Sequence, residues 1–401
     1  MSTKKKTTWQ KVRKFLNDLH LWAGIGAGLV LFVVCLTGTI YTFHQEIDEA
    51  INSDRYYIQA PLSGQVMPIE KLVAAVEAVV EGGTPGSVSI PQDPKKAYAI
   101  NVRVEGQRRG TNYLVNPYTG EVLGDTHTGA SEFFMVMFRL HRWLMLDMAI
   151  GRPIVGWSTV IFVFLCLSGL VIWVPQKVKS WRQGLKIKWS ANWKRINHDL
   201  HNTLGFYSVF LLLVMGLTGL YWSFDAYRDG LYSVLGVEKP QWGRRGNNAK
   251  EEEKKEYPAS TLQLVDFLEA ANQALPYEGD YRIELTSKEK NTLSISKTHT
   301  GFFVSSGRDQ LTMDKYSNEI VKKEIFSEKP LNQQIAQSIR SIHTGEIFGT
   351  FTKILYFISC LIATSLPVTG TIIWINKLKK KRKRKSSKKI VKNNAEALIP
   401  A

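Results

Sequence analysis

Four stretches of this chain, residues 19 to 43, 154 to 174, 203 to 224 and 351 to 375, are apolar and almost free of charge, and each exceeds 20 residues. As a helix, such a run rises about 30 Å, which is the thickness of the hydrocarbon layer of a bilayer. The sequence therefore predicts an integral membrane protein with four helical spans. The first run is too long for the apolar part of a cleaved signal peptide, lacks a small-residue cleavage pattern, and recurs later in the chain, so it is expected to remain as an anchor.

A net charge of +17 could suggest nucleic acid, but its placement argues otherwise. Residues 1 to 19, 175 to 197 and 376 to 401 together carry 24 Lys and Arg against two acidic residues, so the other 333 residues are net negative. Basic flanks on alternate ends of the spans follow the positive-inside pattern. The expectation is a membrane protein with both termini and the middle loop in the cytoplasm. The run Lys379 to Lys385 reads as a stop-transfer and anionic-lipid segment, with no role left for nucleic acid. Cys35, Cys166 and Cys360 all lie inside apolar runs, where a disulfide framework or a four-thiolate cluster is not expected, and no C-x-x-C-H is present to attach haem covalently.

The chain also repeats itself. At an offset of 181, Asn17-Asp18-Leu19-His20 aligns with His198-Asp199-Leu200-His201, Gly24 with Gly205, Thr37-Gly38 with Thr218-Gly219, and Asp48 with Asp229. In the second and fourth spans, Leu140-His141 aligns with Ile342-His343, Ser168-Gly169 with Thr369-Gly370, and Trp173 with Trp374. Each half thus reads as helix, outside module, helix. Each outside module is expected to hold an amphipathic helix (Ile69 to Val80, Thr261 to Ala274) followed by short strands such as Ala97 to Val104 and Leu293 to Ser296. Asn116 to Gly120 and Asp314 to Asn318 read as turns between strands, with Gly120 and Asn318 at the position of positive φ.

These residues resemble a known family. Asn-Pro-Tyr-Thr-Gly-Glu-Val (116 to 122) after a helix is similar to a PepSY domain. The Leu-His helix start, the Leu-Thr-Gly in the span and the exit from Phe43 to Asp48 resemble the PepSY-associated transmembrane family. The resemblance runs from about residue 10 to 376. It implies a four-helix inner-membrane protein with two b-type haems, of the kind that reduces ferric siderophores. Some members continue into a C-terminal flavoprotein module, whereas here the spans are followed by a basic tail.

The expected fold class is a mainly α membrane protein: a four-helix transmembrane bundle with internal duplication and two periplasmic α+β PepSY-like modules. The expected layout places a cytoplasmic segment at 1–18, spans at 19–44, 141–174, 198–224 and 343–376, and modules at 45–140 and 225–342. A basic loop at 175–197 and a basic tail at 377–401 complete it; the second and fourth spans each include a preceding interfacial segment.

Histidine placement carries the chemistry. An ionisable side chain at membrane depth is costly and tends to have a partner, and haem iron is one, because two neutral imidazoles from facing helices can fill both axial positions. The repeat pairs His20 with His201 on the inner side and His141 with His343 on the outer side. His198 and His44 stand as alternates, although their repeat mates are Asn17 and Asp225. The bland alternative is interfacial histidines that meet only lipid headgroups. Each span also carries one small-residue signature, at Gly38, Gly169, Gly219 and Gly370, read as room for a flat macrocycle or as close helix packing.

His141 and Gly169 are 28 residues apart, about 42 Å as one helix, so a break is expected near Gly151-Arg152-Pro153, and another between Gly345 and Gly349. Gly24-Ile-Gly26-Ala-Gly28 lacks the strand and acidic residue of a dinucleotide site, so any flavin or nicotinamide would come from another protein. The expected function is a haem-dependent ferric reductase. Its acceptor is a ferric siderophore or another periplasmic Fe(III) complex, and its donor is quinol or a separate cytoplasmic flavoprotein. A PepSY-based binding or regulatory protein, or an iron-complex permease, is the alternative. No catalytic residue is assigned.

Overall fold

A computed structural model describes residues 7–61, 64–106, 110–174, 181–239, 262–285 and 291–396. The extreme N terminus, the start of the basic loop expected at 175–197, residues 240–261 of the second outside segment and the last five residues of the basic tail lie outside the described residues. The chain divides into two units. One comprises residues 1–42, 137–228 and 355–401, and the other 43–136 and 229–354.

In chain order the helices are α1 (Thr8–Tyr41), α2 (His44–Ile51), α3 (Ser53–Tyr56), α4 (Ile69–Val79), α5 (Gly129–Trp143), α6 (Met148–Trp173), α7 (Trp181–Gly184) and α8 (Trp193–Asp199). They continue with α9 (Gly205–Ser223), α10 (Asp225–Leu235), α11 (Leu264–Ala274), α12 (Leu331–Thr344) and α13 (Gly349–Glu396). The strands are β1 (Gly83–Ile90), β2 (Tyr98–Val104), β3 (Thr111–Val115), β4 (Val122–Asp125), β5 (Gly279–Glu284), β6 (Thr292–His299), β7 (Arg308–Asp314) and β8 (Ile320–Glu324).

The first unit is helical. Among the described residues, four helices are long and apolar enough to cross a membrane: Thr8–Tyr41, Met148–Trp173, Trp193–Ser223 and Glu346–Arg382. A Thr7–Gln10 capping box opens α1, where it satisfies two backbone donors that the first turn leaves unpaired. Helix α6 packs against both α1 and α9. Helix α13 meets α1 through Thr39 and Thr364, whose hydroxyls are 3.3 Å apart, and α9 through Cys360 and Met215, whose sulfurs are 3.4 Å apart. Hydroxyls within the spans return to their own helices, as Thr37 does to the Val33 carbonyl and Thr364 to that of Cys360, so these groups need no water to satisfy them.

The expected break before α6 exists, but it falls earlier than Gly151. Leu144 and Met145 adopt left-handed φ of 57° and 59°, and Asp147 then caps α6 by accepting from the Ala149 N–H at 2.8 Å. Gly151 matters instead for packing, because a Cβ there would sit 2.0 Å from the Trp143 carbonyl oxygen, so only glycine lets α6 cross the end of α5. The second break lies where expected, with Gly345 and Gly349 both at positive φ around a short 3₁₀ turn, Glu346–Phe348.

The second unit is built on one antiparallel sheet of eight strands in the order β4-β3-β2-β1-β5-β6-β7-β8. The two outside segments are therefore not separate bodies. They join at β1 and β5, where Val88 pairs with Ile283 and Ile90 with Tyr281. One apolar core serves both halves: Leu72 and Val76 of α4 and Phe267 and Ala271 of α11 pack with Val88, Ile100, Ile283, Ile295 and Leu311 of the strands. The two turns have the anticipated backbone, with Gly120 at φ 75° and Asn318 at φ 61°. At the start of the second turn the Asp314 carboxylate accepts from the N–H groups of Tyr316 and Ser317, which hold it below the usual carboxylate range.

Candidate functional site

Three of the four histidines proposed as ligands lie in the helical unit, and each meets a neighbouring helix in the same manner. His20 of α1 places Nδ1 2.8 Å from the Ser168 hydroxyl of α6. His201 places Nδ1 2.9 Å from the Thr369 hydroxyl of α13. His141, on the last turn of α5, places Nδ1 2.8 Å from the Val34 carbonyl of α1.

A glycine stands beside each contact. A Cβ on Gly169 would lie 3.3 Å from Cε1 of His20, one on Gly370 would lie 3.2 Å from Cε1 of His201, and one on Gly38 would lie 3.0 Å from Cε1 of His141. The missing side chains thus make room for the imidazole edges themselves. Gly219 lies on α9, at the corresponding place in its own span.

The hydrogen bonds also bear on which ring nitrogen carries the proton. A hydroxyl has a single proton, and Ser168 donates it to the Phe164 carbonyl at 2.7 Å, while Thr369 donates to the Ser365 carbonyl at 3.0 Å. With its proton placed there, each hydroxyl accepts from Nδ1–H. Val34 offers a carbonyl, which only accepts. Val34 thus sets His141 as the Nδ1–H tautomer, and His20 and His201 share it when Ser168 and Thr369 keep their protons on their own helices; Nε2 then carries the lone pair, a form in which a neutral histidine binds a metal.

Local structure around His201 is unusual. Residues Leu200–Leu204 form a π-helical turn between α8 and α9, an irregularity frequent at functional sites. Several groups hold it there. The buried Asn197 amide donates to the Thr369 carbonyl at 3.1 Å, Thr203 donates to the Gly184 carbonyl at 3.1 Å, and Asp199 pairs with Arg195 at 2.8 Å while accepting from the Lys188 N–H. Above this turn Trp173 stacks on Phe206 with ring centroids 3.7 Å apart.

The remaining histidines are placed differently. His198 is exposed, its ring against the Asn202 amide at 3.0 Å and 3.6 Å from the Asp199 carboxylate. His44 opens α2 with its ring 6.0 Å from that of Phe134, and His343 lies on the last turn of α12, both in the sheet-bearing unit. His299 stacks on Tyr277 at 3.8 Å, and His127 follows β4 in a loop.

Sequence reasoning missed the roles of Ser168, Thr369 and Asn197. The signal for the first two was present, since a Ser or Thr precedes the glycine in every span.

As donors, imidazoles held through Nδ1 on neighbouring helices would fit a group that takes a nitrogen ligand from each of two histidines. Among the described residues no three His, Cys, Asp or Glu side chains converge on a point that could hold a bare ion. A metal bound by these imidazoles would have to bring its other ligands with it, as the iron of haem does.

The family model described as PepSY-associated TM region matches residues 18–377. No curated protein matches the chain.

Proposed function

The chain belongs to the family of PepSY-associated transmembrane proteins, and from that membership and the imidazole geometry we propose that it is a di-haem b oxidoreductase of the bacterial inner membrane. In this reading it passes electrons from the cytoplasmic side to a periplasmic acceptor, ferric iron held by a siderophore. His20 and His201 hold the inner haem, His141 and His343 the outer one. Haem b bound by two histidines supplies one-electron transfer without an open coordination position.

The observation that carries the proposal is the common arrangement of His20, His201 and His141, each with Nδ1 held by a neighbouring helix and a glycine clearing its ring. A histidine that served only the lipid interface would need neither a partner for Nδ1 nor a cleared neighbour. The chain's own part is to orient the rings and keep water from them. Ser168, Thr369 and Val34 set the ring angles, and the apolar spans surround the rings with side chains that cannot compete for Nε2. His20 and Val34 are 14 residues apart on α1, so the two levels of imidazole lie about 21 Å apart along that helix, most of the way across the hydrocarbon.

The 24 basic residues in three flanking segments support cytoplasmic termini and hence entry of electrons near His20 and His201. The donor is quinol or a cytoplasmic flavoprotein. Reduction of Fe(III) to Fe(II) weakens its binding by hard oxygen ligands, which is how the acceptor would release iron.

The test is a pair of variants. His201→Ala should lose the inner haem and block reduction by a cytoplasmic donor, while a reductant added from the periplasm still reduces the outer haem. His343→Ala should lose the outer haem, keep the inner one reducible, and abolish reduction of a periplasmic ferric chelate. Full haem content and ordinary activity in both variants would overturn the proposal, since substitutions that touch no structural feature usually cost no more than about 0.5 kcal/mol.

A further inference from the structure

Phe302 and Phe303 are 61% and 65% exposed at the tip of the hairpin joining β6 to β7, an exposure that an ordinary water-facing loop does not invite. The tip, Thr300 to Gly307, contains no charged residue. It is fastened to the start of the last long helix. The Phe351 N–H, one of the first-turn donors that α13 cannot pair internally, donates to the Phe302 carbonyl at 3.0 Å, and the Ser306 N–H donates to the Ile347 carbonyl at 3.1 Å. Gly349 lets the two backbones approach, because a Cβ there would lie 2.8 Å from the Gly301 carbonyl oxygen. The rings follow the backbone: Phe303 lies 5.8 Å from Phe348 and 5.7 Å from Phe351, and Phe302 lies 6.1 Å from Phe351. All four phenylalanines are at least 40% exposed.

What covers this face follows from the helix to which it is tied. Phe351 lies within the apolar span Glu346–Arg382, and the exposed apolar positions continue along α13 at Ile354, Leu355, Ile358 and Leu361, the spacing of one helix face. If α13 crosses the bilayer, its exposed face meets lipid, and the hairpin rings beside Phe351 must lie at the same depth. The opposite ends of the strands provide a contrast. The strands are antiparallel throughout, so β2 finishes at the end away from the β6–β7 hairpin, where the charged Glu105 follows it.

We propose that the β6–β7 hairpin is a membrane anchor, with Phe302 and Phe303 seated at the boundary between headgroups and acyl chains where α13 enters the bilayer. The strands then have one set of ends in the interface and the other in water, whatever cofactor the helices carry. Aromatic rings favour this depth because their apolar faces leave water without entering the chain region fully.

The experiment measures depth. Phe303→Cys, Phe351→Cys and Glu105→Cys are each spin-labelled in the full protein in phospholipid nanodiscs, with the unsubstituted protein correcting for labelling of native thiols. Accessibility to oxygen and to a water-soluble nickel chelate is then compared. The label at 303 should lie about 5–10 Å into the boundary region, level with that at 351, while the label at 105 is open to the chelate. Chelate accessibility at 303 equal to that at 105 would overturn the proposal. So would a label at 303 closed to both probes, which would mean that a protein covers the tip.

Discussion

Thr369→Val removes one hydroxyl from the helix that faces His201 and leaves the shape of the side chain almost unchanged. In the native protein Nδ1 of His201 lies 2.9 Å from Thr369 Oγ1, which accepts from it when the hydroxyl proton is on the Ser365 carbonyl at 3.0 Å. Valine leaves the imidazole N–H without an acceptor in an apolar span. An orphaned buried donor costs about 1–3 kcal/mol, which corresponds to about 5- to 150-fold in an equilibrium constant, and loss of the group that orients a metal-binding histidine typically costs about 10- to 100-fold in metal affinity. The Ser365 carbonyl loses an extra donor, a lesser effect, because a helix carbonyl retains its backbone bond. The assay is transfer of haem from the purified variant to an excess of a high-affinity haem scavenger, followed by absorbance. The inner haem should leave about 10- to 100-fold more readily than in the unaltered protein, with the outer haem unaffected, and Thr369→Ser should restore retention. Retention in Thr369→Val equal to that of the unaltered protein would refute the reasoning, because the tautomer would then not depend on Thr369.

Three other perturbations test different parts of the structure. Gly38→Ala puts a methyl 3.0 Å from Cε1 and 3.1 Å from Nδ1 of His141; overpacking of about 1–3 kcal/mol should displace that ring and lower outer-haem content in the difference spectrum while the inner haem stays. Asp48→Ala removes the acceptor for Thr128 Oγ1 at 2.6 Å and Tyr56 Oη at 2.8 Å, and should destabilise the sheet-bearing unit by about 1–3 kcal/mol in denaturant titration. Ile283→Ala empties a fully buried position at the β1–β5 junction, so it should cost about 2–5 kcal/mol and unfold both halves of the sheet in one transition; two separate transitions would show the halves to be independent.

Legibility in the sequence followed the range of the interactions. The spans could be read because a membrane imposes a length on a contiguous apolar run, and the turns because Gly120 and Asn318 tolerate positive φ. The proximity of His20 to Gly169, and of His201 to Gly370, could be anticipated from the internal repeat combined with alternating span direction. The β1–β5 pairing could not, since Ser87 and Glu284 are far apart in the chain and no local pattern encodes which edge strands meet. The break before α6 was misplaced because Leu144 and Met145 bear the left-handed backbone without the glycine that usually marks it. Ser168 and Thr369 were passed over because a hydroxyl in a span normally just returns to its own helix. These two do so as well, and each meets an imidazole Nδ1 of a neighbouring helix besides.

The central claim is that paired imidazoles, held through Nδ1, hold haem, and the most direct measurement is the haem-to-protein ratio of the purified protein together with its ferric absorption spectrum. The account predicts two haems per chain, both low-spin as two nitrogen axial ligands require, and both reducible. A ratio near one, or a high-spin signal in the intact protein, would remove one histidine pair. A colourless protein that takes up no haem when supplied with it would contradict the account altogether.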